Sequence, residues 1–329
     1  MDLREIGEFG LIRRIRGWMA SSDPSLVQGI GDDVAVMRMG SKALLATTDM
    51  LVEGIHFQRS WIDPYHLGKK ALMVNLSDIA AMGGIPRYFL ISLGLPKNLP
   101  LSFVSRMYRG IREGAKQYRV DLVGGDTTLS HKIVLNICLL GEGNPERILF
   151  RSGAKADDDL WVSGTLGDAA LGLKILQEKG AKKPRGPIAR HLNPIPRLSL
   201  GQALARSGLA DSMIDVSDGL LSDTSHLLEE SHVGAVIWED RVPLSAAYRK
   251  QELSDSKSFF QLAFTGGEDY ELLFTAPVKN RNRVSSLSKP LRVPITRIGK
   301  ILPEKGGLVV VRAEGGRYTP SRLGFDHFR

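Results

Sequence analysis

The sequence predicts a mixed α/β protein of two domains, on three observations. The chain has 329 residues, about twice the length of a common single domain. Apolar runs of strand length alternate irregularly with longer stretches of helical period, and no fixed repeat appears. The texture then changes near residue 148, where the loop RSGAKADDD interrupts the pattern, which places the domains at 1–148 and 149–329.

The elements follow in order. Leu3, Ile6, Phe9, Leu11, Ile12 and Ile15 lie near helical spacing and predict an amphipathic helix over 3–19. After the polar turn SSDPS, VAVMRM and ALLATTDML read as strands. Pro64 to Met82 predicts a helix, since proline suits the first turn and Gly83-Gly84, with Pro86 beyond, ends it. FLISLGLP is a strand, residues 101–118 a helix, and VDLVGG and IVLNICLLGEG strands. In the second half DLWVSG predicts a strand, ALGLKILQEKG a helix, and residues 180–197 a proline-rich excursion. SLGQALARSG is a helix, SMIDV a short strand and LLSDTSHLLEES a helix, while GAVIWE, SFFQLAFTGG and YELLFTAPV are strand candidates.

Composition excludes several classes. No apolar run approaches the roughly 20 residues that span a bilayer, and the N-terminus carries Asp2, Glu5 and Glu8 instead of a cleavable apolar segment. Cys138 is the only cysteine, so no intramolecular disulfide forms, and a reducing cytoplasm is the expected setting. The net charge is +8, yet outside KGAKKPRGPIARH (179–191) the basic residues are scattered, with no aromatic-spaced stripe. Neither nucleic acid nor a membrane is an expected partner. The seven histidines lack HExxH spacing, and one cysteine builds no thiolate site, which argues against zinc. GxSxG, GxxxxGK[ST] and the HRD and DFG motifs are all missing. A nucleotide bound here would have its phosphates held by metal ions, not by a P-loop lysine.

The acids carry the chemistry. Asp33 closes the acid pair of GIGDDVAV, Asp49 ends LLATTD, and Asp126 follows LVGG. Asp215 and Asp218 flank Val216-Ser217 in MIDVSDGL, and Glu268 and Asp269 follow FTGG. Strand ends project side chains from a rigid scaffold, and glycine lets backbone approach a ligand. Each motif taken singly also suits an ordinary turn. Asp78 is different, because its helix, ALMVNLSDIAAM, is apolar on nearly every face, with Asn75 on the same side. An unpaired buried carboxylate costs several kcal/mol, so Asp78 needs a cation or strong donors; capping a neighbouring loop is the plain alternative. An all-oxygen set suits Mg2+.

Taken together, EFGLI, IGDDVAV, TTDMLVEGIHF, VNLSDIAAMGG, VGGDTT, RSGAKADD, SGTLGD, IDVSDGL, TGGEDYELLF and GFDHF, in this order, give a chain that closely resembles the thiamine-monophosphate kinase family. That family belongs with the ATP-binding superfamily of aminoimidazole ribonucleotide synthetase and selenophosphate synthetase. The resemblance implies a two-domain fold of that type, its N-terminal domain pairing into a β-barrel across a homodimer. It implies ATP- and Mg2+-dependent conversion of thiamine monophosphate to thiamine diphosphate, with several ions and no general base. Asp33, Thr47, Thr48, Asp49, Asp78, Asp126, Asp215 and Asp218 are the implied metal ligands. Tyr108, Gly124, Gly125, Arg151 and Ser217 would meet ATP, and His56, Glu268 and Phe325 would line the thiamine site. Asp32 has no implied role, and Phe325 stands where the family often has Trp or Tyr. The selenophosphate branch would show a reactive N-terminal Cys, and the related hydrogenase maturation factor a C-terminal one; this chain has neither. A non-catalytic sensor of the same fold would have lost an acid from the metal set.

Overall fold

The computed structural model describes residues 2–180, 183–250, 260–312, 314–320 and 323–328. Helix α1 (Leu3–Trp18) starts under a capping box in which the Asp2 carboxylate accepts from the Arg4 and Glu5 amides and Glu5 returns to the Asp2 amide. Gly7, at φ 65°, breaks the helix. The Asp326 carboxylate, from the far end of the chain, caps the restart by accepting from the Glu8 amide at 3.2 Å.

The first half builds a six-stranded sheet from β1 (Leu26–Gln28), β2 (Ala35–Met39), β3 (Lys42–Val52), β4 (Ile85–Leu95), β5 (Asp121–Leu129) and β6 (Val134–Gly143). The order is β1-β2-β3-β6-β4-β5, antiparallel except for β4 against β5. Helix α2 (Pro64–Ala81) starts under Asp63, whose side chain accepts from the Tyr65 and His66 amides, and α3 (Leu101–Tyr118) packs against it. The two helices approach closely because Gly68 faces the Met107 carbonyl and Gly110 the Tyr65 carbonyl, where a Cβ would overlap.

The second half supplies β7 (Asp159–Ser163), α4 (Asp168–Lys179), α5 (Pro187–Leu192), α6 (Leu198–Ser207), β8 (Ser212–Asp215), α7 (Leu220–Ser231) and β9 (Val233–Trp238). It continues with α8 (Ala246–Arg249), α9 (Gln261–Thr265), β10 (Leu272–Ala276), α10 (Arg281–Ser286), α11 (Ser288–Leu291), β11 (Ile295–Pro303), β12 (Leu308–Val311) and β13 (Arg317–Tyr318). Its sheet runs β13-β12-β9-β11-β7-β10-β8. The larger apolar core is not confined to one half. It runs from Leu45 and Phe89 through Leu72 and Ile79 on α2 to Leu204 on α6, Met213 on β8 and Phe274 on β10. Sandwiched between its own sheet and α6, α2 is buried on nearly every face for that reason.

Two expectations are corrected. SFFQLAFTGG is not a strand: over the described residues it forms α9, with Phe260 and Phe264 at helical spacing and stacked 5.7 Å apart. Ser258 and Phe259 lie outside the described residues. A short apolar run has too few residues for its period to separate helix from strand. The proline-rich excursion also contains a helix, α5, with Pro187 at its start.

Candidate active site

Strand β3 and helix α2 form one side of the site. Alternation along β3 puts Thr47 and Asp49 on the same face. The Thr47 hydroxyl donates to Asp78 Oδ2 at 2.5 Å, and Asn75 Oδ1 accepts from the Asp49 amide at 3.1 Å. From the adjacent position on α2, the Ser77 hydroxyl donates to Asp215 Oδ2 at 2.5 Å, so the same helix anchors the end of β8. The turn before β2 adds Asp33. Arg151 donates to Asp33 Oδ1 through Nε at 3.2 Å and Nη2 at 2.5 Å, while Asp33 Oδ2 is buried with no hydrogen-bond partner among the described residues.

These acids feel one another. Burial, reinforced by Asp49, Asp215 and Asp33, holds the Asp78 carboxyl well above its ordinary range. Burial and Asp33 do the same to Asp215 and push Asp49 up to about 6. Burial also raises Asp33 itself, against the pull of Arg151. Asp218 rises to about 7 through burial and the nearby Glu8. Such a group needs either protons or cations at neutral pH. Among the described residues no three His, Cys, Asp or Glu stand close enough to hold an ion as they are. The fit to a hard cation rests instead on the all-oxygen donors and on the orphaned Asp33 oxygen.

Three acid-region residues take different positions. The Asp32 carboxylate, raised to about 7 by burial and Asp33, accepts from the Asp33 amide at 3.0 Å and the Arg151 amide at 3.1 Å, so it shapes the turn. Thr48 points to the opposite face of β3 from Asp49, and its hydroxyl accepts from Asn136 Nδ2 at 2.9 Å. By the two-residue period of a strand, its side chain does not share the face that carries Thr47 and Asp49. Asp126 lies on β5, exposed, and its carboxylate makes no hydrogen bond or ion pair among the described residues.

Glu268 and Ser217 sit on two loops locked together. The Glu268 amide donates to the Ser217 carbonyl at 2.7 Å, and the Tyr270 amide to the Val216 carbonyl at 2.8 Å. Glu268 and Tyr270 have φ of 69° and 51°, unusual for side-chain-bearing residues and sustained by these bonds. Gly267 is required beside them, because a Cβ would overlap the Ser217 carbonyl. Asp223 was missed by sequence reasoning; it accepts from the Asp218 and Gly219 amides at 3.2 and 3.0 Å and holds the loop that carries Asp218.

The Glu268 side chain meets two further residues that sequence reasoning passed over. Lys70, on α2 and only 2% exposed, places Nζ 2.7 Å from Glu268 Oε1, and His191 Nδ1 lies 2.9 Å from Oε2. Burial pushes the Glu268 carboxyl up, but Lys70 and His191 outweigh it and hold it well below its usual range. The available signal was a lysine inside the apolar helix that also carries Asp78. Close by, His56 Nδ1 accepts from the Val52 amide at 3.0 Å, which leaves the ring proton on Nε2. Burial and His327 lower the His56 pKa. His56, His327 and Phe325 form a row with centroid separations of 5.0 and 4.9 Å. The Phe325 amide donates to the Asp218 carbonyl at 3.1 Å, which ties this aromatic wall to the acids.

Tyr108 lies apart from these groups. Half-buried on α3, it lines a cleft of about 710 Å3 with Phe89, Arg109, Arg112, Lys116 and Arg119. Next to the cleft, β5 carries Gly124 and Gly125 and is exposed along its whole length. Gly125 pairs with Ile91, and a Cβ there would overlap the Ile91 carbonyl.

This two-sheet architecture defines a class: residues 31–142 match the AIR synthase related protein N-terminal domain, and residues 155–312 the C-terminal domain. The chain is 39% identical to a thiamine-monophosphate kinase of Aquifex aeolicus over the whole of both proteins. It is 40% identical to that of Escherichia coli strain K12, over 98% of each. The solved structure "AaThiL complexed with AMPPCP and TMP" superposes with a TM-score of 0.86 at 38% identity, covering 99% of both chains. The thiamine monophosphate kinase structure from Stenotrophomonas maltophilia K279a gives 0.76 at 36% identity, covering 92% of this chain and 96% of that one. The chain belongs to the thiamine-monophosphate kinase family.

Proposed function

We propose that this protein transfers the γ-phosphoryl group of ATP to thiamine monophosphate, giving thiamine diphosphate and ADP. The observation that carries the reading is the set Asp33, Asp49, Asp78 and Asp215, drawn from both halves of the chain, with one buried oxygen lacking a partner. The related structure solved with AMPPCP and TMP supports the same pair of substrates. Several Mg2+ ions would be held by Asp33, Thr47, Thr48, Asp49, Asp78, Asp126, Asp215 and Asp218. Bound there, such ions would supply charge neutralisation to the phosphates that meet during transfer.

The chain's residues do the positioning. Tyr108, Gly124, Gly125 and Ser217 are assigned to ATP, and Arg151, pinned by Asp33, offers its remaining donors to a phosphate. His56, Glu268, Phe325 and His327 are assigned to thiamine, with aromatic faces for its planar rings. The acceptor is a phosphate monoester with a second pKa of roughly 6, so its attacking oxygen is largely ionised at neutral pH. No general base is required, and transfer is direct and in line. Strand β5, an exposed sheet edge, suits pairing with a second copy into a barrel, which supports a homodimer as the working form. No helix among the described residues is long and apolar enough to cross a membrane, and we assign the protein to the cytoplasm.

The test is purified protein with ATP, Mg2+ and thiamine monophosphate, thiamine diphosphate being read by chromatography. Unphosphorylated thiamine serves as the parallel acceptor. Phosphorylation of thiamine but not of the monophosphate would overturn the reading.

A further inference from the structure

Lys70 stands out because an ammonium so deeply buried, midway along an apolar helix, has to have a reason. Its Nζ is 2.7 Å from Glu268 Oε1, and His191 Nδ1 lies 2.9 Å from the other oxygen, though not aligned as a hydrogen bond. Burial and the adjacent Lys70 push the His191 pKa down against the pull of Glu268, which favours the neutral ring. The trio therefore carries no net charge. If Glu268 also served as the counter-ion of a cationic ring, the assembly would hold one uncompensated positive charge away from water, which is costly. A neutral N–H donor adds no charge, and a carboxylate with two neighbours still has lone pairs to accept it.

We propose that Lys70 is a positioning residue for the substrate pocket: beside His191, it fixes the Glu268 carboxylate as a charge-balanced acceptor for the exocyclic amine of the substrate, leaving the cationic ring to the His56–His327–Phe325 row. This rests on the thiamine monophosphate reading. The aromatic row is within electrostatic reach, since His56 feels both Lys70 and Glu268, and its faces suit a cation without a formal counter-charge.

The experiment compares wild type with Lys70→Met, Lys70→Arg and the double variant Lys70→Met/Glu268→Gln, measuring kcat, both KM values and thermal midpoints. Lys70→Met is expected to raise the KM for thiamine monophosphate about tenfold or more, with kcat and the KM for ATP within about threefold. Lys70→Arg should recover most of that loss. The double variant is neutral and keeps a carbonyl acceptor, so its KM should lie below that of Lys70→Met. A double variant that binds worse than Lys70→Met restores the counter-ion role and overturns the proposal, as does an unchanged KM in Lys70→Met. Equal losses in kcat and both KM values mark a merely structural lysine and overturn it too. If Lys70→Met does not fold, the double variant decides: a KM within about tenfold of wild type supports the proposal, and a rise of about a hundredfold defeats it. Wild type that makes no thiamine diphosphate instead defeats the underlying reading of the reaction.

Discussion

Asp33 shows how single residues divide their labour here. One oxygen is held by Arg151, and the other is buried without a hydrogen-bond partner among the described residues. Asp78 is the extreme member of the set, buried and surrounded by Asp49, Asp215 and Asp33. Asp78→Asn is expected to lower turnover by about a hundredfold or more while leaving the fold intact, checked by phosphoryl-transfer rate beside a thermal melt. The raised carboxyls also set a pH dependence. Their folded pKa values, about 6 for Asp49 and about 7 for Asp32 and Asp218, exceed the unfolded value of about 3.9. The folded protein thus holds protons more tightly, and their stabilising effect is present in acid and lost as pH rises through 6 to 7. Metal-free protein should therefore melt at a lower temperature at pH of about 8 than at about 5.5, and Mg2+ should restore most at the higher pH. A metal-free midpoint that climbs over that range would count against the cage. Glu268 runs the other way: its depressed pKa gives a contribution present above the unfolded value and lost progressively as pH falls below it.

At the level of elements, most helices were legible because their signals are local. Asp63 and Pro64 announce α2, and Gly83 at φ 68° ends it. What the sequence could not show is why α2 is apolar on nearly every face, since α6 packs on it from the other half of the chain. Gly201 on α6 abuts the Ala80 carbonyl, as Gly110 abuts that of Tyr65. Gly110→Ala is expected to destabilise by about 1–3 kcal/mol through overpacking, despite a gain of up to about 1 kcal/mol in helix propensity; denaturant titration measures the net sign. The β3 strand teaches the complementary lesson. Its motif names Thr47, Thr48 and Asp49 together, but the pleat sends Thr48 to the other face, toward Asn136.

For the whole molecule, the site belongs to neither half alone. Thr47, Asp49 and Asp78 come from the first sheet and its helix, Asp215 and Glu268 from the second. The free edge of β5, with Leu122, Val123 and Leu129 exposed, extends the same logic to a second copy. Sedimentation should find a dimer for wild type, and Val123→Lys with Leu129→Lys should shift it to monomer. A wild-type monomer at micromolar concentration would remove the barrel from the account.

By itself the sequence determined the family resemblance, the strand-and-helix order of most of the chain and the acids worth watching, because caps, periods and motif spacings are written in neighbouring residues. Only the tertiary structure decided which acid oxygens are already occupied and that Glu268 is balanced by Lys70, with His191 beside it. Burial and charge compensation depend on side chains far apart along the chain, and nothing local in either segment records the partner it will meet.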